Sequence, residues 1–242
     1  MTTRSRDAAV IIEARMGSTR LPGKHLLPVC ERPIIQHLIN RMRKVNGVSE
    51  VIVATTTDAK DDILVDCLSK ANIPFYRGSE KNVMLRVIEA AEKYKIHTIV
   101  EVTGDCPCID INIVEAAIQT YDLNEVDYVT NNKYPQLPDG MDVQVFCIDT
   151  LKRSSKLTNK PDHLEHVTLH IKDNPKKFRT INLGAPYNLR KPKLRLTLDY
   201  PSDYTLLKNI IEHFGFDNMD YSIEDILDFI QKNEQNDRYH SA

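Results

Sequence analysis

Charge of one sign, paired cysteines and long apolar runs are all scarce in this 242-residue chain. Its 32 basic and 34 acidic residues nearly cancel. No global field would therefore draw it onto nucleic acid or an anionic membrane, and any phosphate binding must be local. The five cysteines (Cys30, Cys67, Cys106, Cys108 and Cys147) are an odd number without a disulfide-rich pattern, which favours reduced thiols. Cys106-Pro-Cys108 has neither zinc-ribbon nor redox-dithiol spacing. The polar start, residues 1–7, precedes an apolar run of only 8–12, too short for a signal segment or a membrane span. A cytoplasmic protein is expected. There is no repeat, low-complexity tract or long linker to mark a boundary, so one domain over 1–242 is expected.

What is present is an alternation of strand and helix patterns. Residues 8–12 are a short β-branched run suited to a buried strand, and 33–45 carries Ile34, Ile35, Leu38, Met42 and Val45 at helical spacing. Strands at 51–54, 74–76 and 98–102 then alternate with helices at 61–71, 81–94 and 111–121. This order predicts an α/β fold with a mainly parallel sheet between two helical layers, and ligands collecting at the carboxyl ends of the strands. After Asp127 the order loosens. Strands are expected at 126–130, 143–148 and 193–198, and helices at 162–172, 201–214 and 223–232. Residues 235–242 are expected to fray. The break in alternation suggests that about 127–145 projects from the core.

The loop after the first strand reads Glu13-Ala-Arg-Met-Gly-Ser-Thr-Arg-Leu-Pro-Gly-Lys24. It gathers Arg15, Arg20 and Lys24 with the Gly17-Ser18-Thr19 turn, and cations with glycine-freed amides suit a triphosphate. It is neither a Walker loop nor the Gly-x-Gly-x-x-Gly of a dinucleotide fold. Asp105, in Thr103-Gly-Asp-Cys-Pro107, and Asp199, in Leu198-Asp-Tyr-Pro-Ser-Asp203, each follow an expected strand. Two readings stand for each: capping of the next helix, or jointly holding Mg²⁺ with phosphate oxygens and water. His163, His166 and His170 lack the His-Glu-x-x-His zinc signature. Structural or solvent-facing roles are expected for His163 and His170.

Taken together, Arg15-Met-Gly-Ser-Thr-Arg-Leu-Pro-Gly-Lys24 and the two aspartate segments resemble the sugar-acid cytidylyltransferases, which include CMP-Kdo and CMP-sialate synthetases. The branch named for spore-coat polysaccharide biosynthesis (SpsF-like) is more similar still. It shares Arg77-Gly-Ser-Glu80, Pro138-Asp-Gly-Met-Asp142 and Glu165-His-Val-Thr168, and the likeness runs over about 8–203.

The resemblance implies a nucleotidyltransferase fold of Rossmann or GT-A type and a homodimer paired through the protruding segment. It implies transfer of CMP from CTP to a sugar or sugar acid, with release of pyrophosphate, for surface polysaccharide or glycoconjugate biosynthesis. Residue by residue, it implies that Arg15, Gly17, Ser18, Thr19, Arg20 and Lys24 hold the nucleotide phosphates. Asp105 and Asp199 would bind Mg²⁺, and Arg77, Ser79 and Asn82 would contact the base. Asp139, Asp142, Gln144, Glu165 and His166 would line the acceptor site, with Lys24, Arg15, Asp105 and Asp199 as the catalytic set. The branch's pattern has Asp where Asn82 stands and Glu where Gln144 stands, and each departure removes a charge. The rival readings are a guanylyl- or uridylyltransferase using a sugar phosphate, a nucleotide-sugar glycosyltransferase, and a non-catalytic nucleotide-binding module. The glycosyltransferase reading lacks its Asp-x-Asp.

Overall fold

The computed structural model describes residues 8–240. In chain order the elements are β1 (Ala8–Glu13), β2 (Pro28–Val29), β3 (Arg32–Pro33), α1 (Ile34–Met42), β4 (Val48–Thr56) and α2 (Asp62–Lys70). Next come β5 (Phe75–Gly78), α3 (Val83–Lys93), β6 (Thr98–Thr103), α4 (Ile111–Leu123), β7 (Tyr128–Thr130) and β8 (Gln144–Cys147). The chain closes with α5 (Ile148–Ser155), α6 (Pro161–Glu165), α7 (Leu169–Asp173), β9 (Thr180–Asn182), α8 (Pro201–Phe214) and α9 (Ile223–His240).

A seven-stranded sheet in the order β5-β4-β1-β6-β8-β7-β9 forms the centre. Strands β5, β4, β1 and β6 pair in parallel, β8 runs antiparallel to both β6 and β7, and β9 is parallel to β7. Only β8 is therefore reversed. Successive side chains of β1 point to opposite faces. Val10 and Ile12 join a core with α1, α2 and α4, whereas Ile11 joins one with α3, α5 and α7. These two cores make the expected three-layer α/β/α arrangement. A third apolar cluster seats Leu196 and Leu198 under α8 and α9. Among the described residues no helix is long and apolar enough to cross a membrane, and all five cysteines are free.

Chain order along the sheet reverses at β1: β4 and β5 lie on one side of it and β6 on the other. The loops leaving β1 and β6 therefore open side by side at a topological switch point, where crevices form in such sheets. Gly104 makes this approach close, since a Cβ there would lie 2.8 Å from the carbonyl oxygen of Glu13.

Three expectations are corrected. Residues 127–145 do not project: β7 and β8 are built into the sheet, and Asn131, Met141 and Val143 between them are buried, while Tyr134, Pro135 and Asp139 are exposed. The arm through which a second copy was expected to pair is thus part of the core. Residues 193–198 are extended but join no strand, because their amides bond elsewhere. Leu196 N donates to Asp139 O at 2.7 Å and Leu198 N to Asp105 O at 2.8 Å, with a single bridge between Asp139 and Arg195. The helix expected at 162–172 divides into α6 and α7, because His166 leaves helical geometry (φ −100°, ψ 85°). Helix α9 runs through His240, and 241–242, part of the segment expected to fray, lie outside the described residues.

Candidate active site

The β1 loop is fixed at its start by a residue that carries no motif. Asp61 accepts hydrogen bonds from Met16 N (2.7 Å), Thr55 Oγ1 (3.0 Å) and Thr56 N (3.1 Å), tying the loop to the end of β4. These donors hold the Asp61 carboxyl below its ordinary value against the burial that would raise it. Further on, Ser18 Oγ accepts from Leu21 N at 3.2 Å, and Gly23 at φ 71° turns the chain into a short 3₁₀ segment that brings Lys24 inward.

Lys24 is buried, and its Nζ lies 2.8 Å from Asp105 Oδ2 and 2.9 Å from Asp199 Oδ1. Burial would lower the ammonium's pKa, but the two carboxylates outweigh it and raise it. The same contacts keep both aspartates below the ordinary carboxylate range despite burial. Arg20 reaches Asp199 Oδ2 at 2.8 Å, and Arg195 approaches the same oxygen at 3.5 Å. Two carboxylates 94 positions apart in sequence thus meet at one cation.

Neither aspartate caps a helix. Asp110 caps α4, accepting from Asn112 N at 2.7 Å. Asp203 serves the start of α8, accepting from Asp199 N at 2.9 Å and Tyr200 N at 3.0 Å.

Two adjoining cavities open here. The first, of about 420 Å³, is lined by Arg15, Gly17, Ser18, Thr19, Arg20, Lys24, Asp105 and Asp199. The second, of about 280 Å³, is lined by Asp139, Asp142, Gln144, Glu165 and His166. They share Glu13, Thr103, Asp105, Glu165, His166 and Asp199. The break between α6 and α7 is what leaves His166 at this junction. Gln144 is held in place by hydroxyl donation from Tyr128 and Thr168 to its Oε1.

Three expected contacts fall outside both linings. Arg77 donates to the carbonyls of Thr56 (2.8 Å) and Asp58 (2.9 Å) and pairs with Asp62 at 2.7 Å, bracing the β4–α2 turn. Ser79 Oγ accepts from Asn82 N, and Asn82 Oδ1 accepts from Leu85 N to cap α3. His163 and His170 are buried and structural, bonded to Thr158 and Ser154 respectively.

Sequence reading missed other residues here. His25 lines the first cavity beside Gly104 O at 3.2 Å, and burial lowers its pKa to about 4, so it is neutral near pH 7. Arg86 on α3 lines the same cavity, its pKa lowered by burial. Half-buried Glu13 and buried Glu101 bring two carboxyl groups together on the neighbouring strands β1 and β6. Burial, and then Glu101, raise Glu13 well above its ordinary value, while burial raises Glu101 to about 7. A charge inside the apolar run Ile99-Val-Glu-Val102 was the available signal for Glu101.

The site is a switch-point crevice with a basic loop on one side and convergent carboxylates on the other. Residues 9–241 match the family model described as Cytidylyltransferase. The chain belongs to the cytidylyltransferase family. It is 32% identical over 231 residues to the spore coat polysaccharide biosynthesis protein SpsF of Bacillus subtilis, covering 94% of this chain and 95% of that one. A cytidylyltransferase structure from Leptospira borgpetersenii superposes with a TM-score of 0.87 at 31% identity, covering 94% and 95% of the two chains. The 3-deoxy-manno-octulosonate cytidylyltransferase of Escherichia coli is 35% identical over 112 residues, which is 46% of this chain and 45% of that one.

Proposed function

We propose that this protein is a cytoplasmic, Mg²⁺-dependent enzyme that transfers CMP from CTP to a hydroxyl of a sugar or sugar acid, releasing pyrophosphate for surface polysaccharide or glycoconjugate assembly. The observation that carries the reading is the Lys24 ammonium, shared by Asp105 and Asp199 at the floor of a cavity walled by the Arg15–Arg20 loop.

The two carboxylates suit Mg²⁺. No cluster of three or more protein ligands exists among the described residues, and Mg²⁺ characteristically takes one or two carboxylates, with phosphate oxygens and water completing its shell. The Lys24 ammonium at their meeting point supports the reading, since a positive charge already sits between the pair. Held there, Mg²⁺ would offset charge on the phosphate oxygens.

Arg15, Arg20 and the loop amides would cradle the triphosphate, and the acceptor hydroxyl would enter from the second cavity to attack the α-phosphorus in line. Little covalent work falls to the protein, so catalysis rests on positioning and on cations that meet the charge moving onto pyrophosphate. Lys24, once turned from the aspartates to that leaving group, is the residue placed for it.

The test is a pyrophosphate-release assay of the purified protein with each nucleoside triphosphate, Mg²⁺ and a panel of sugars, sugar acids and sugar phosphates. Release with CTP that depends on Mg²⁺ and on an acceptor is expected. Release with GTP or UTP in preference to CTP would overturn the assignment.

A further inference from the structure

Among the described residues the buried lysine and arginine side chains are Lys24, Arg41 and Arg86. A buried charge is costly unless partners surround it. Lys24 has Asp105 and Asp199. Arg41 donates to the carbonyls of Ile109 (3.0 Å), Met219 (3.2 Å) and Tyr221 (3.0 Å) and lies over the Tyr221 ring. Arg86, only 2% exposed, has neither arrangement. Among the described residues it makes no ion pair, and its one hydrogen bond runs from Nη1 to the carbonyl of Ser79 at 2.6 Å. Its Nε is buried without an acceptor. Nε–H and the adjacent Nη2–H form one edge of the planar guanidinium, the kind of edge that binds two acceptors side by side. No protein group takes that edge. Nearby carboxyl groups do not offset the burial, which lowers the guanidinium's pKa.

Arg86 lines the first cavity together with Val83. Its stem passes Gly78, the last residue of β5, where a Cβ would come within 3.0 Å of Arg86 Cγ, and its head is anchored at Ser79. Asp105 follows β6 instead. In the order β5-β4-β1-β6 those two strands lie three places apart, roughly 14 Å at the usual strand spacing. A triphosphate with its metal at Asp105 and Asp199 would fill the β6 end. The nucleoside is left the β5 end, where Val83 offers an apolar surface and Arg86 an unfilled donor edge.

We propose that Arg86 is the base-reading residue of this site, its Nε–H and Nη2–H donating to O2 and N3 of cytosine. This rests on the cytidylyltransferase reading and deepens it. Cytosine presents those two acceptors side by side, whereas uracil presents O2 beside an N3–H that would set donor against donor. A site built for such a pair rejects the analogue that leaves it unmatched. Arg77, Ser79 and Asn82, engaged in bracing their own turns, leave the contact to Arg86.

Calorimetric titration of the full chain with Mg²⁺ tests this, using non-hydrolysable CTP and UTP analogues and inorganic tripolyphosphate. The wild type should prefer the CTP analogue by roughly 10- to 100-fold, the discrimination one bidentate base contact supplies. Arg86→Met should abolish most of that preference and leave tripolyphosphate affinity unchanged. Its Tm should hold or rise, because the variant removes a buried charge that has no ion-pair partner in the empty protein. Arg86→Lys keeps the charge without the paired edge and should lose the preference too; it is the deciding variant should Arg86→Met fail to fold. A CTP preference that survives substitution overturns the proposal, and a fall in Tm alongside it makes Arg86 structural. Tripolyphosphate affinity falling as far as that of the CTP analogue would make Arg86 a phosphate contact and also overturn it. A wild type that does not prefer the CTP analogue would instead strike the cytidylyltransferase reading, and the proposal with it.

Discussion

Replacing Lys24 by Met keeps most of the buried stem and removes only the charge. Two carboxylates, 24% and 14% exposed, would then face each other without the ammonium that now lies within 2.9 Å of both. Removing one partner of a buried ion pair typically costs roughly 3–5 kcal/mol. Arg20 and Arg195 still reach Asp199, so the lower end, about 3 kcal/mol, is expected at pH 7. For a chain of this size that lowers Tm by about 6–12 °C. The pH dependence has a definite sign. Asp105 and Asp199 are depressed in the folded protein, so their contribution is present above the unfolded value near 3.9 and is lost as pH falls through the folded values. Lys24 is raised, so its share persists through neutral pH and fades only as pH rises through its folded value. The Tm gap between wild type and Lys24→Met should therefore be widest near neutrality and narrow towards pH 3. Millimolar Mg²⁺ should restore part of it, since an ion bound only to the folded state stabilises by mass action. In the pyrophosphate assay kcat should fall by about 10²–10³, the loss of one preorganised charge at the leaving group. A gap that does not close in acid, or an unchanged kcat in a folded variant, would refute the reasoning.

Arg77→Ala should cost about 2 kcal/mol of stability, because two backbone carbonyls lose charged donors, with KM for CTP unchanged; a raised KM at full stability would restore a base-contact role. Gly140→Ala places a Cβ 2.5 Å from Leu196 O at a φ of 101°. It should destabilise by about 2–3 kcal/mol and reduce kcat through the segment that carries Asp199, as denaturant titration and steady-state kinetics would show. Asp105→Asn and Asp199→Asn should each reduce kcat sharply and raise the Mg²⁺ requirement. The double variant should lose less than the two single effects combined, because the residues act as a unit, and full additivity in the kinetic cycle would separate them.

The first half of the fold was legible because each βα unit there carries its own pattern: a β-branched run and then a 3.6-residue period. Beyond Asp127, β8 reverses direction and follows β7 without a helical crossover, so no such unit marks it. Residues 193–198 show what periodicity reports. Leu194, Leu196 and Leu198 alternate because one face of an extended chain is buried under α8 and α9, but alternation is silent on where the amides bond, and they bond to Asp139 and Asp105. The β1 loop could be singled out because its cations and glycines lie close together in sequence. His25, Arg86, Glu13 and Asp61 belong to no local motif and are gathered only by the sheet.

Capping and ion binding make the same demand on a sequence, an Asp before a helical pattern, and cannot be separated at that level. In the folded chain the capping falls to other residues. Asp110 and Asp203 satisfy the amides at the starts of α4 and α8, so local structure gives Asp105 and Asp199 no reason to be charged. Burying two carboxylates side by side is unfavourable without compensating cations. Yet Lys24, Arg20 and Arg195 all turn towards this pair. An apolar pair would pack there without any of these charges. That the chain gathers opposite charges at the switch point, where no fold requirement asks for them, is the physical argument behind the proposal that a polyanion binds there with its metal.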